Sequence, residues 1–212
     1  MTQPSSPAAP AVPDRKRVLH VGCGPPNPMK LNPVFRSGGW EEVRLDIDPA
    51  VSPDIVASIT DMPMIADGSI DAVWSSHNLE HLYEHEVVPT LREFLRVLRP
   101  GGFFLVTMPD LQAVAAVMAQ DDGLDRTLYT DTTGTVPITP LDVVYGWGWW
   151  IAQGRTAMAH RTGFSMRSLA RKLVEAGFHQ AQVIRGPVFS LWGMASKGVP
   201  IADTGLLTRA MA

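Results

Sequence analysis

The chain has 212 residues, 45% hydrophobic and 18% charged, which is enough apolar side chain to bury a sizeable core and too much for a disordered protein. Eighteen Lys and Arg against 21 Asp and Glu leave a net charge of -3, excluding the basic field that gathers polyanions non-specifically. The single cysteine, Cys23, excludes an internal disulfide and a multi-thiolate zinc site, and no apolar run approaches the roughly 20 residues a bilayer requires, so a soluble cytoplasmic protein is expected.

Residues 1–14, with Pro4, Pro7, Pro10 and Pro13 among Ser and Ala, are expected to be a disordered tail ahead of a single domain over 15–212. Val18-Leu19-His20-Val21 reads as a buried strand entering the glycine loop Gly22-Cys23-Gly24. Pro25, Pro26 and Pro28 follow at once, so no helix is expected to open there. Glu42 to Asp48 alternates in polarity and stops at Pro49, giving a second strand that ends in carboxylates. Ser69–Ser75 and Gly102–Thr107 give a third and a fourth. Between those two, Val87, Leu91, Phe94, Leu95 and Leu98 share one face of a helix, with Arg96 and Arg99 in its last turn and Pro100-Gly101-Gly102 as its stop. Asp110 ends the fourth strand, where it could orient an acceptor hydroxyl or, as expected, cap the next helix.

The segment 121–161 breaks the alternation: it is rich in Thr, Gly and Pro, lacks a period and carries Tyr129, Tyr145, Trp147, Trp149 and Trp150. A stretch of that kind reads as a lid; the alternative is that its rings cover a sheet edge or a homodimer contact. Met166–Ala176 reads as a helix with Ser165 as N-cap and Gly177 as stop. Ala181–Ile184 and Val188–Ala195 then close the sheet as an antiparallel pair. The whole is expected to be a doubly wound, Rossmann-like, mostly parallel α/β sheet with ligands at the carboxyl ends of its strands.

A strand followed by Gly22-x-Gly24 brings backbone close to a ligand, and Asp46, about 20 residues on at the end of the next strand, can take both hydroxyls of a ribose. Asp48, on the same side, competes for that role. Pro26 stands where a dinucleotide fingerprint has its third glycine, which argues against NAD. Five segments in register, Val18–Gly24, Leu45–Asp48, Met62–Met64 with Asp67–Asp71, Ser76–Leu82 and Leu95–Gly102, resemble the class I S-adenosylmethionine-dependent methyltransferases of the small single-domain type. The resemblance spans residues 17–196 and implies direct displacement of a methyl group from S-adenosylmethionine, with S-adenosylhomocysteine as product. It places Gly22, Cys23 and Gly24 under the methionine part of the donor and Asp46, with Ile47 beside it, on the ribose. It places Ser58 and Ile59 on the adenine with Asp61 close by, and Ser75, Ser76 and His77 toward the methionine amine and the sulfonium. The chain departs from the pattern with His20 where an acid often precedes the first glycine, Pro26 for the third glycine, and Ser58 where an acid is common.

Methyl transfer from a sulfonium already has an activated leaving group, so alignment, which supplies up to about 7–11 kcal/mol, is the main task. A base is needed only where the acceptor loses a proton, and His77 and His160 are the candidates for the catalytic role. His77, His81 and His85 are four apart and would form one stripe on a single helix. His77-x-x-Glu80-His81 also spells a zinc-type motif, but no metal ligand is assigned: Glu80 and His81 are expected to brace the helix N-terminus and His85 to be solvated. His160 either enters the acceptor pocket, with Tyr145 and Trp149 as walls, or bonds a backbone carbonyl to fix the return of the lid. The expected acceptor is a small molecule or carbohydrate, with no nucleic-acid or membrane partner. The alternatives are a non-catalytic S-adenosylmethionine-binding or partner subunit and a metal-assisted methyltransferase.

Overall fold

The computed structural model describes residues 15–131 and 133–212, so the tail expected over 1–14 lies outside the described residues. In chain order the strands are β1 (Lys16–Val21), β2 (Trp40–Asp46), β3 (Ile55–Val56), β4 (Ile70–Ser76), β5 (Leu98–Pro109), β6 (Tyr129–Thr130), β7 (Pro137–Ile138), β8 (Gln180–Arg185) and β9 (Ser190–Ser196). The helices are α1 (Glu84–Val97), α2 (Leu111–Met118), α3 (Pro140–Tyr145), α4 (Gly148–Ala152), α5 (Met166–Ala176) and α6 (Leu206–Met211). Seven strands form one sheet in the order β3-β2-β1-β4-β5-β9-β8, parallel from β3 to β5, with β9 running against both its neighbours.

Both faces of the central strands are covered, which is why β1 and β4 read as continuous apolar runs rather than alternating ones. Leu19, Val21, Val43, Leu45, Val73 and Phe104 pack under α1 and α5, meeting Val87, Leu91, Phe94, Leu169 and Leu173. The opposite face, with Val18, Ala72, Trp74, Leu105 and Met194, is covered by Leu31 and Phe35 and by Leu207 and Ala210 of α6. Between β1 and β2 the only helical element is a 3-10 turn, Pro33–Phe35, because the prolines after Gly24 deny a helix its backbone donors. Buried Asn32 ties that turn to α6 by donating Nδ2 to Ala210 O at 2.9 Å.

Strand β2 runs two residues earlier than its polarity alternation predicts, and two further boundaries move for reasons the structure shows. Helix α1 ends at Val97, so Leu98 and Arg99 belong to β5 and not to its last turn. Leu98 continues the apolar helix spacing but pairs with Ile70 as a strand residue, and Arg99 reaches Asp71 at 3.0 Å. Strand β9 starts at Ser190 because Val188 and Phe189 stand at φ of +52° and +54°, a turn no strand can include. Helix α5 matches its predicted limits, with Ser165 Oγ accepting from Ser168 N at 3.2 Å and Gly177 at φ +105°.

The segment 121–161 is short elements rather than irregular chain. It holds the β6–β7 hairpin, α3 and α4 around a small core of Val114, Ile138 and Val143, joined by Leu128, Tyr129 and Trp147. Gly146, at φ +92°, must be glycine: a Cβ there would run into the backbone oxygen of Met158. The ends of the excursion meet where Leu111 N donates to Phe164 O at 2.9 Å beside a bridge between Asp110 and Phe164. Among the described residues, no helix is long and apolar enough to cross a membrane.

Candidate active site

Parallel order brings the carboxyl ends of β1, β2, β3 and β4 to one edge, and the register sets Val21 beside both Leu45 and Ser75. The Gly22–Gly24 loop, Asp46-Ile47 and Ser75–His77 therefore converge there. Gly22 and Gly24 take φ of +62° and +60°, and a Cβ on Gly22 would lie 2.7 Å from Asn78 Nδ2. The loop is held from β2: Cys23 N donates to Leu45 O (3.2 Å), Gly24 N to Asp46 Oδ2 (2.8 Å), and the Arg44 guanidinium to Gly24 O (2.6 Å). Asp46 Oδ1 accepts from Asp48 N at 3.0 Å, so each carboxylate oxygen keeps a lone pair for another donor. Asp48 instead caps the 3-10 turn Pro49–Val51 through Ala50 N at 2.9 Å.

Ile47 is 64% exposed, an apolar surface at the end of β2. Ile59 departs from expectation: its side chain is buried in the core under α1, leaving only its backbone to the edge. Ser58 Oγ bonds Thr60 Oγ1 at 2.8 Å, and Asp61 is exposed. Cys23 is buried and burial pushes its thiol pKa up, so it lines the loop without nucleophilic character. His20, in place of the usual acid, is buried and meets Glu42 Oε1 at 2.6 Å; burial lowers its pKa more than Glu42 lifts it. A carboxylate thus stands next to position 20 after all, supplied by the neighbouring strand.

Two residues escaped the sequence reading. Asn78 lies over Gly22 with its Nδ2 buried and unpartnered among the described residues, and the Lys30 ammonium lies over Gly24. Asn78 sits inside the Ser76–Leu82 motif, a signal that could have found it; Lys30, in a proline-rich loop, has none. Ser75 is fully buried, and its Oγ also lacks a partner among the described residues. A positive-φ glycine cradle, unspent hydrogen-bonding groups and an anchored carboxylate fit a nucleoside carrying an amino-acid tail.

Beside this edge lies a second group. His77 stands at φ +49° with its N donating to Thr107 O (2.9 Å), and the chain then makes a 3-10 turn over Leu79–His81 before α1 opens at Glu84. His77, His81 and His85 therefore form no stripe, because the tertiary bond to β5 turns the chain before any helix begins. His85, exposed on α1, stacks on Tyr83.

Glu80 is 1% exposed and braces the return of the aromatic segment rather than the helix N-terminus. Its backbone oxygen accepts from Arg161 N (2.8 Å) and Thr162 N (3.2 Å), and its Oε1 lies 3.2 Å from His77 Nδ1. His81 Nδ1 meets Ala159 O at 3.2 Å, His160 Nδ1 meets Val143 O at 2.7 Å, and the two rings are 5.0 Å apart. Burial opposes the Glu80 charge, but His77, His81 and His160 outweigh it and hold the carboxyl below its ordinary pKa. On His77 the bond to Glu80 raises the pKa; on His160 burial prevails and lowers it.

Residues 19–106 match the family model described as a methyltransferase domain. Over that stretch the chain is similar to methyltransferase domains, and its seven-stranded sheet is that of the class I S-adenosylmethionine-dependent methyltransferases. Solved structures share the fold. A SAM-dependent methyltransferase from Archaeoglobus fulgidus is 13% identical, with a TM-score of 0.54 over 86% of this chain and 86% of that one. The protein complexed with the Trm112 methyltransferase activator of Haloferax volcanii is 16% identical, at 0.53 over 88% and 85%. The Burkholderia thailandensis 1,6-didemethyltoxoflavin-N1-methyltransferase, solved with 1,6-didemethyltoxoflavin and S-adenosylhomocysteine, is 16% identical, at 0.51 over 86% and 72%.

Elsewhere on the methyltransferase, Asp110 is 1% exposed and caps α2, accepting from Gln112 N (3.1 Å) and Ala113 N (3.3 Å), while Arg185 donates Nε to its other oxygen at 2.8 Å. It has no freedom to orient a substrate. Tyr145 and Trp149 are 65% and 52% exposed; Trp147 stacks on Trp149, Trp150 meets both edge-on, and Arg155 lies over Trp150.

Proposed function

We propose that this methyltransferase acts on a small-molecule or carbohydrate-type acceptor held between the strand edge and the 121–161 segment. The observation that supports the reading is the docking of that segment onto Glu80: Arg161 N and Thr162 N donate to the Glu80 backbone oxygen, His160 N donates to Tyr145 O, and the Glu80 side chain meets His77. Gly22, Cys23 and Gly24 would hold the methionine portion of S-adenosylmethionine, Asp46 and Ile47 the ribose, the Ser58–Asp61 turn the adenine, and Ser75, Ser76 and His77 the reacting end. S-adenosylmethionine supplies an activated methyl group when bound; the chain supplies alignment and dryness.

Of the two histidine candidates, His77 keeps a half-exposed ring on the edge and accepts the proton when the acceptor is a hydroxyl. His160 acts as a positioning residue, since its Nδ1 bond to Val143 O fixes the end of α3 and with it Tyr145. The Burkholderia enzyme, solved with 1,6-didemethyltoxoflavin bound, supports a small-molecule acceptor on this fold. The test is incubation with methyl-labelled donor and separate small-molecule and macromolecular extracts. Label in the small-molecule fraction is expected; label confined to protein or RNA refutes the acceptor class.

A further inference from the structure

We infer that Glu80, His81 and His160 form a binding site for a divalent transition-metal ion, a site that methyl transfer itself does not require. One ligand atom from each of the three residues falls within 4.8 Å of the others. Glu80 is almost fully buried, and its Oε2 has no hydrogen-bond partner among the described residues although Oε1 meets His77. A buried carboxylate oxygen left without a donor is costly, so its persistence points to a positive ligand.

The two imidazoles point the same way. A backbone carbonyl only accepts, so His81 facing Ala159 O and His160 facing Val143 O must each carry the proton on Nδ1. In the neutral rings that metal binding requires, Nε2 is then the free lone pair. An outer hydrogen bond of this kind is what fixes the tautomer and orientation of a metal-binding histidine. A buried anionic oxygen and two half-buried imidazoles, each offering one ligand atom within mutual reach, are spaced so that a single cation can bridge them.

Two imidazoles and a carboxylate are the donor set of catalytic zinc and of non-haem iron, whereas magnesium and calcium take oxygen ligands. Three protein donors leave the ion an open position for water or a substrate oxygen. His77, bonded to Oε1, would orient the carboxylate from outside. Because His160 belongs to the aromatic segment and Glu80 to the strand edge, the ion would also clamp one to the other.

The test uses the full chain freed of metal by a chelator and titrated with Co2+, Zn2+ and Mg2+. One Co2+ per chain is expected, with the visible bands of low coordination, displaced by Zn2+ and not by Mg2+, and Zn2+ raises the unfolding temperature. Glu80→Gln and His160→Asn, each checked for folding by circular dichroism, should weaken binding by more than the ~10–100-fold that losing an outer partner costs. His85→Ala leaves it unchanged. Absence of stoichiometric Co2+ and Zn2+ binding by the folded parent, or parental affinity in both ligand variants, overturns the site. Donor titration of the metal-free chain runs alongside, so a failed metal site is distinguished from a failed donor site.

Discussion

Replacing Asp46 with alanine separates the anchored carboxylate from every other feature of the donor edge. The side chain accepts from Gly24 N at 2.8 Å and Asp48 N at 3.0 Å and keeps two lone pairs that the proposed ribose contacts would use. Hydrogen bonds to a charged group contribute about 1.5–3 kcal/mol each, so losing a single ribose bond raises the donor Kd about 10- to 150-fold. Loss of the Gly24 anchor adds roughly 1 kcal/mol of destabilisation, because the carboxylate is partly solvated and its backbone partners are regained by water. The assay is calorimetric titration of S-adenosylmethionine and S-adenosylhomocysteine into the parent, Asp46→Ala and Asp48→Ala at one ionic strength. Asp48→Ala loses only the cap on Ala50 N, so its Kd should stay within about threefold, under 1 kcal/mol, of the parent. A folded Asp46→Ala that binds donor like the parent, or an Asp48→Ala that loses more than Asp46→Ala, refutes the reasoning.

Gly22→Ala places a Cβ at φ +62°, costing roughly 1–2 kcal/mol of backbone strain, and displaces Asn78; donor binding should fall while the urea midpoint drops modestly. Ser165→Ala removes the cap on Ser168 N and should cost about 0.5–2 kcal/mol by chemical denaturation, with donor affinity unchanged. Glu84 joins α1 to buried Lys172 of α5 and accepts from Thr162 Oγ1 at 3.0 Å, and the Lys172 bond, first among these contacts, holds its carboxyl below the ordinary 4.5. With the folded pKa below the unfolded one, its contribution is complete above about pH 4.5 and vanishes as the pH falls through the folded value. Glu84→Gln should therefore be less stable at neutral pH and show a shallower acid limb than the parent; coincident limbs in urea melts across the acid range count against the pairing.

Signals that are local in the chain were legible. The glycine loop, Asp46 and the whole of α5 could be read because turns, caps and carboxylates at strand ends are set by neighbours in sequence. Leu98 misled because an apolar residue in helical step serves equally well as the first residue of a buried strand. The stripe of histidines dissolved because Thr107, on another strand, turns the chain at His77. Burial of Glu80 was invisible for a similar reason: glutamate is ordinarily exposed, and the backbone groups of Arg161 and Thr162 that cover it arrive from the far side of the aromatic segment. The elements within that segment are two to six residues long, too short to display a period.

The excursion from Leu111 to Phe164 leaves and rejoins the scaffold at adjacent points, joined there by one backbone bond and one bridge, with its return held further by Glu80, His81 and Glu84. Its length is thus uncoupled from the geometry of the strands, and doubling it would add only about 0.6 kcal/mol of closure entropy. The enzyme is in effect a fixed chassis with an exchangeable cartridge. Grafting a different cartridge between those two anchor points, with the residues that meet Glu80, His81 and Glu84 kept, would test whether this segment selects the proposed acceptor.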